Sequence, residues 1–138
     1  MKNKVLLLFL AFLSFSCFEE EEDAPGVLPS GTYVGTFTRS SPTALYPSSD
    51  VTLVLQDQSF SGSSSLPQYP AIGKGTYRVQ GQEVVFKDES FWTANFDWTL
   101  ILDGTFTLAT DAQGGITLTR RRGDISDVYM LTRQPGGK

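Results

Sequence analysis

Residues 31–134 predict an all-β domain that closes as an eight-stranded antiparallel up-and-down barrel. Three observations lead there. The segment is rich in Thr, Val, Tyr, Phe and Gly, and apolar and polar residues alternate over short runs. No window of about 11 residues carries a helical stripe. Turn-forming residues divide the segment into eight candidate strands, at about 31–39, 50–56, 59–65, 73–80, 82–88, 98–109, 115–122 and 126–133. Hairpin-linked strands with one apolar face close into a barrel without leaving an exposed edge. A flattened β-sandwich is the alternative.

Each strand is placed by the face it shares with its neighbour, because a slip of one residue turns every side chain over. The first strand opens at Gly31 with Tyr33, Gly35 and Phe37 inward. A turn at Asp57-Gln58 pairs Leu55 of the second strand with Phe60 of the third. A turn at Gln80-Gly81 pairs Tyr77 with Val84 and Gly75 with Phe86. The loop 111–115 pairs Leu108 with Leu118, and the loop 123–125 pairs Leu118 with Met130 and leaves Val128 inside. Asp103-Gly104 has the composition of a type I′ hairpin turn. A hairpin there would set Leu100 and Leu102 against Thr105 and Thr107, so one uninterrupted strand is expected, aligning Trp98, Leu100, Leu102, Gly104, Phe106 and Leu108. Gly104 then marks a bend or bulge.

In a meander the connections alternate between the two ends. The short ones, 57–58, 80–81 and 111–114, fall at one end; the long ones, 40–49, 66–72 and 89–97, fall at the other with 123–125. The long-loop end is the expected mouth, where barrel ligands usually enter. Its loops carry Tyr46, Tyr69, Phe91, Trp92 and Phe96, with Trp98 just beyond. Rigid aromatic faces suit stacking on sugars, hydrophobic ligands or a protein partner; the same rings also suit capping a small core. Arg39, Arg120 and Arg122 lie near this mouth, with Arg120 and Arg122 on the face of Leu118 and Arg121 outward. Inward arginines at a rim can clamp an anion, and they can equally end a strand by pairing with Asp88, Glu89 or Asp124. An interior of this strand number is just large enough to be filled by side chains or to hold one small ligand. A cavity lined by Phe37, Leu55, Tyr77 and Leu108 would mark a carrier, and a filled barrel with Trp92 and Phe96 exposed would mark an interaction module.

Composition narrows the function classes. The chain carries 11 basic and 15 acidic residues and no histidine. Five of the acids are Glu19–Asp23, so residues 24–138 are close to neutral and nothing favours nucleic acid. Without histidine there is no His-based triad, His general base or His metal ligand. No phosphate loop, dinucleotide fingerprint or calcium-loop spacing is present. Asp88, Glu89 and Asp97 flank the aromatic loop, but acids at strand ends are common, and the expectation is a protein that is not an enzyme and uses no cofactor or metal.

The N-terminus carries its own signal. Lys2 and Lys4 precede an apolar run from Val5 to Leu13, then Ser14-Phe15-Ser16-Cys17 and the acidic Glu19, Glu20, Glu21, Glu22 and Asp23. The apolar run is too short to span a bilayer, which needs about 20 residues. The layout resembles a bacterial lipoprotein signal peptide, residues 1–16, cleaved before a cysteine that becomes lipidated; ordinary secretory cleavage with a free Cys17 thiol is the alternative. Ser14 stands where that family usually has Leu. The acidic run resembles the signal that sends Bacteroidota lipoproteins to the cell surface; a solvated acidic tether is the bland reading. The resemblance implies an outer-membrane protein held by acyl chains on Cys17 and exposed at the surface, or else facing the periplasm. Residues 17–30 then hold the lipidated cysteine and a tether, whose residues 18–29 reach at most about 40 Å, and 135–138 are a tail.

The domain carries a second resemblance. Gly31-Thr32-Tyr33, the stretch Leu102-Asp103-Gly104-Thr105-Phe106 and the ending Asp127-Val128-Tyr129-Met130-Leu131-Thr132-Arg133 resemble small lipocalin-like (calycin-type) lipoproteins of the Bacteroidota. Tyr33 replaces the family's Trp, and its Thr-Asp-Tyr motif is lacking, since Ala112 follows Thr110-Asp111. In lipocalins an Arg of the last strand packs over that Trp; the hairpin register above turns Arg133 outward, so the contact is not carried over. The resemblance implies a barrel holding a small hydrophobic or amphipathic molecule at a mouth facing away from the membrane. The other reading is a solid barrel whose mouth loops bind a surface protein or a glycan, as an accessory subunit or an inhibitor.

Overall fold

The computed structural model describes residues 28–93 and 95–136. Residues 1–16, Cys17, the acidic run Glu19–Asp23 and most of the tether lie outside the described residues. Eight strands follow in order: β1 Gly31–Ser40, β2 Ser49–Gln56, β3 Ser59–Ser64, β4 Lys74–Gln80, β5 Glu83–Asp88, β6 Gly104–Thr110, β7 Gly115–Arg122 and β8 Ile125–Arg133. Each pairs antiparallel with its sequence neighbour, and β1 also pairs with β8, so the sheet is a closed barrel and not a sandwich.

Alternation sends one face of every strand inward. Tyr33, Phe37, Leu53, Leu55, Phe60, Tyr77, Val84, Phe86, Phe106, Leu118, Tyr129 and Leu131 are buried and form one core cluster. Their rings meet across the interior: Phe37 with Tyr129 at 4.9 Å, Tyr129 with Phe106 at 5.8 Å, Phe106 with Phe86 at 5.8 Å and Phe86 with Phe60 at 5.2 Å between centroids. These edge-on and tilted contacts are the favoured aromatic geometries. The inward glycines do not open space. A Cβ on Gly35 would run into the Met130 carbonyl, and one on Gly75 into the Lys87 carbonyl. Both mark places where neighbouring backbones close in.

Two expected hairpins hold in register, Leu55 opposite Phe60 and Leu108 opposite Leu118. Two others are corrected. The β4–β5 turn is Gly81-Gln82, so Tyr77 faces Phe86, Val79 faces Val84 and Gly75 faces Asp88. Gly81, at φ 57°, takes the left-handed place that glycine adopts at least cost, and the shift by two residues preserves the inward face. In β7–β8 the turn is Gly123-Asp124 and the shift is by one. Leu118 faces Tyr129, so Asp127, Tyr129 and Leu131 point inward while Val128 and Met130 point outward, Met130 being 60% exposed. The same slip returns Arg133 to the face of Tyr33, its partner across β1–β8.

The expected long strand 98–109 is also corrected. Trp98–Leu100 form a single turn of 3-10 helix, capped by Asp97, whose carboxylate accepts from the Thr99 amide. The chain then passes through residues 101–103 and enters β6 at Gly104, with φ 90°. Leu100, Ile101 and Leu102 are all buried, which a strand's alternation cannot achieve, and Trp98 turns outward.

Candidate functional site

The two ends of the barrel are closed differently. At the short-turn end Leu28 inserts into the core, the Tyr33 hydroxyl donates to the Pro29 carbonyl at 2.7 Å, and the Arg133 guanidinium donates to the Ser30 carbonyl. Burial raises the Tyr33 phenol above its ordinary range, against a smaller lowering by Arg133.

At the long-loop end the segments 66–72 and 97–103 fold over the interior. They lock together at Ala71, whose amide donates to the Leu100 carbonyl at 3.0 Å while its own carbonyl accepts from Leu102 at 2.9 Å. Beneath them lies a charged cluster. Asp127 faces Arg39 on β1 and Arg120 on β7 by register. Arg39 is buried; its Nε donates to Asp127 Oδ1 at 2.6 Å and its Nη2 to Oδ2 at 2.8 Å, a bidentate pair. Arg39 Nη1 reaches Asp97 Oδ2 at 3.0 Å and Thr99 Oγ1 at 3.2 Å. Arg120 lies with its guanidinium carbon 4.4 Å from the Phe106 ring centre and 3.5 Å, through Nη2, from Asp127 Oδ2.

One carbonyl oxygen, that of Thr99, receives all three guanidiniums: Arg120 at 2.9 Å, Arg122 at 3.2 Å and Arg39 at 3.4 Å. Thr99 is thereby drawn down onto the barrel. The Asp127 hydrogen bond holds the proton on Arg39 more firmly, whereas burial, then Arg122, loosens it on Arg120. Hydrogen bonding from the Thr99 hydroxyl, with Arg39 nearby, holds Asp97 below the ordinary carboxylate range. Burial pushes the Tyr129 phenol far above the usual tyrosine range.

The nine expected mouth residues therefore divide. Arg39, Arg120 and Arg122 donate to the protein's own Asp97, Asp127, Thr99 and, for Arg120, the Asp103 carbonyl, while the buried Arg120 Nε has no hydrogen-bond partner among the described residues. Tyr69 packs edge-on against Phe37, 5.4 Å between centroids, as part of the closure. Tyr46 lies over Arg39, at 6.0 Å from its guanidinium carbon, and keeps part of its ring in solvent. Trp92, Phe96 and Trp98 form a ladder, 5.6 Å and then 5.9 Å between ring centres, the last two rings nearly parallel. Trp92 is fixed by its indole N–H, which donates to Asp88 Oδ2 at 2.6 Å. Trp98 is 58% exposed, Phe91 90%, and Leu45 of the 41–48 loop fully so.

Among the described residues no group of three or more potential metal ligands occurs. Sequence reasoning missed Asp127, Thr99 and Leu28, and it placed Leu100 on the apolar face but in a strand. Asp127 becomes legible only once the β7–β8 turn is placed at Gly123-Asp124, since that register alone sets it between two arginines.

Comparison of the chain with protein-family models, curated proteins and solved structures finds no match. The closed eight-stranded antiparallel barrel is consistent with a lipocalin-like fold and compatible with ligand binding.

Proposed function

We propose that this chain is a lipid-anchored, surface-exposed interaction module, binding rather than catalytic, whose mouth loops dock a protein partner. The observation that carries the reading is the distribution of exposed large apolar side chains among the described residues: Leu45, Tyr46, Phe91 and Trp98 stand on the long-loop end, and Met130 stands apart on the outer wall of β8. Aromatic anchors on a rigid support are the usual energetic centres of protein interfaces, and Trp98 is supported by the ring ladder and the arginine-pinned Thr99. An aliphatic Leu45 beside them favours a protein surface over a sugar. The aromatic network inside the barrel favours docking on the mouth over a ligand enclosed within. The described chain enters at the short-turn end through Leu28, so an anchor at Cys17 would leave the mouth loops facing outward.

Replacing Cys17 with Ser should release the protein from membranes; persistent membrane pelleting would overturn the anchor. For the mouth, a photo-crosslinking residue at Phe91 should capture one protein on intact cells, whereas the same residue at Thr105, on the outer wall, should not. Adding Trp98→Ala should lower that capture about tenfold or more while costing about 0.5–1.5 kcal/mol of stability, the size of the lost ring contact with Phe96. Equal capture from both positions would overturn the mouth as the interface. A discrete small molecule in native mass spectra of the purified protein would return the reading to a carrier.

A further inference from the structure

The loop from β1 to β2 differs from the rest of the mouth. Two prolines, Pro42 and Pro47, enclose Thr43-Ala44-Leu45-Tyr46. Proline fixes its own φ and biases the residue before it toward extended backbone, which here means Ser41 and Tyr46. A bend at residues 42–43 is held by the Thr43 amide, which donates to Ser41 Oγ at 3.3 Å, and residues 44–48 then run on without turn, bend or strand. Among the described residues no hydrogen bond reaches the main chain of residues 44–47.

The side chains divide between display and support. Leu45 is fully exposed. Tyr46 turns back over Arg39, which is buried and held by Asp127, Asp97 and Thr99. The loop therefore rests on the same charged closure that pins the 97–103 segment. At its far end Ser49 is buried opposite Phe37 in the β1–β2 ladder, its hydroxyl 3.1 Å from Ser65 Oγ. An apolar side chain held out between prolines, on main chain with its hydrogen bonds unmade, suits a cleft that receives extended peptide. Main-chain groups pair with the cleft's edge and the side chain enters a pocket. Support from Arg39 and the prolines lowers the cost of ordering the loop on docking.

We propose that this loop inhibits a serine protease whose specificity pocket takes large apolar residues, with Leu45 in that pocket and the Leu45–Tyr46 bond at the position of cleavage. The inference rests on the mouth as a protein-docking surface and names the chemistry of the partner. Tyr46 does not take the pocket, since its ring lies over Arg39 and Pro47 follows it. Attack of the protease serine Oγ on the Leu45 carbonyl makes an ester and breaks the bond to Tyr46, whose amine takes the serine's proton. Paired strands hold both sides of the loop and Arg39 holds the Tyr46 ring, so that amine stays beside the ester. It attacks in return, the peptide bond re-forms, the serine recovers its proton, and the protease stays occupied.

The test is inhibition of α-chymotrypsin and trypsin by the purified full-length protein, read with chromogenic peptide substrates, with mass spectrometry to locate any cut. Chymotrypsin has an apolar specificity slot and trypsin one built on an aspartate. Micromolar protein should inhibit chymotrypsin and leave trypsin active. Leu45→Arg, at a fully exposed site, should exchange the two, weakening inhibition of chymotrypsin about 100-fold and conferring inhibition of trypsin. Tyr46→Ala should raise the rate of cutting at the 45–46 bond about tenfold or more, because the released amine is no longer held. Rapid cutting of the unaltered protein at Leu45–Tyr46 without inhibition, inhibition indifferent to Leu45→Arg, or fully active chymotrypsin at about 100 μM protein would each overturn the inference. Photo-crosslinking separates this outcome from the reading beneath it. Capture of a surface protein through Phe91 with chymotrypsin left active overturns the protease inference alone, whereas equal capture from Phe91 and Thr105 overturns the mouth itself.

Discussion

At the short-turn end the barrel is closed by apolar insertion and main-chain hydrogen bonds: Leu28 enters the core, and Tyr33 and Arg133 donate to the carbonyls of Pro29 and Ser30. At the long-loop end it is closed by charge. Asp127 joins Arg39 and Arg120 from the two flanking strands, and three guanidiniums gather on the Thr99 carbonyl. The first closure ties the chain entering β1 to β1 itself and, through Arg133, to the end of β8; the second unites residues from β1, β7, β8 and the 97–103 segment. The long-loop end carries a ladder of aromatic rings, and directional ion pairs fix the segment beneath it where apolar contact alone would let the loops slide.

The largest effect should come from the charged end. Asp127→Ala leaves Arg39 buried without its carboxylate, and breaking such a pair typically costs about 3–5 kcal/mol. Urea unfolding should show this, and Trp98 fluorescence should change at denaturant concentrations below the main transition if the 97–103 segment lifts first. A loss under about 1 kcal/mol would mean that the apolar contacts of Leu100 and Leu102 suffice for the closure.

A smaller and opposite effect should come from the short-turn end. Asp57 and Gln58 both have positive φ, 55° and 90°, in the two-residue β2–β3 turn, where Asn-Gly or Asp-Gly is preferred. Gln58→Gly should therefore stabilise by about 0.5–1 kcal/mol without altering the mouth. Destabilisation would show that the Gln58 side chain supports the turn in a way the main chain does not reveal.

The smallest effect should be on pH dependence. Asp97 is held below its ordinary carboxylate range in the folded protein, so its contribution is complete above about pH 4 and is lost as pH falls through the lowered value. Its side chain is 52% exposed, so solvent limits the contribution to a few tenths of a kcal/mol. Comparing the urea midpoint at pH 6 and pH 3, Asp97→Asn should lose slightly less than the unaltered protein. An identical pH response would mean that Arg39 is held by Asp127 alone.

Much of the wall was legible in the sequence because strand alternation is local. The faces of Leu55, Phe60, Leu108 and Leu118 followed from turns whose length fixes the register. The β7–β8 register was misread because Val128-Tyr129-Met130-Leu131 is apolar on both faces, so hydrophobicity could not choose between them. The choice was made by Asp127, whose inward place is favourable only beside Arg39 and Arg120, residues 88 and 7 positions away. The segment 98–102 was misread for a related reason: Leu100 and Leu102 alternate as in a strand, while the Asp97 cap and the Ala71 bridge impose a different path.

By itself, then, the sequence determined the class of fold, the order of the strands, which end carries the long aromatic loops, and the acidic run with its single cysteine. These are properties of composition, periodicity and turn length, and they act over a few residues. Tertiary structure alone decided that the inward arginines serve the protein's own closure, that aromatic rings fill the interior, and that Trp98 faces solvent. Each of those outcomes depends on which residues meet across the closed barrel, and burial makes the pairing of a charge or the fit of a ring outweigh local preference.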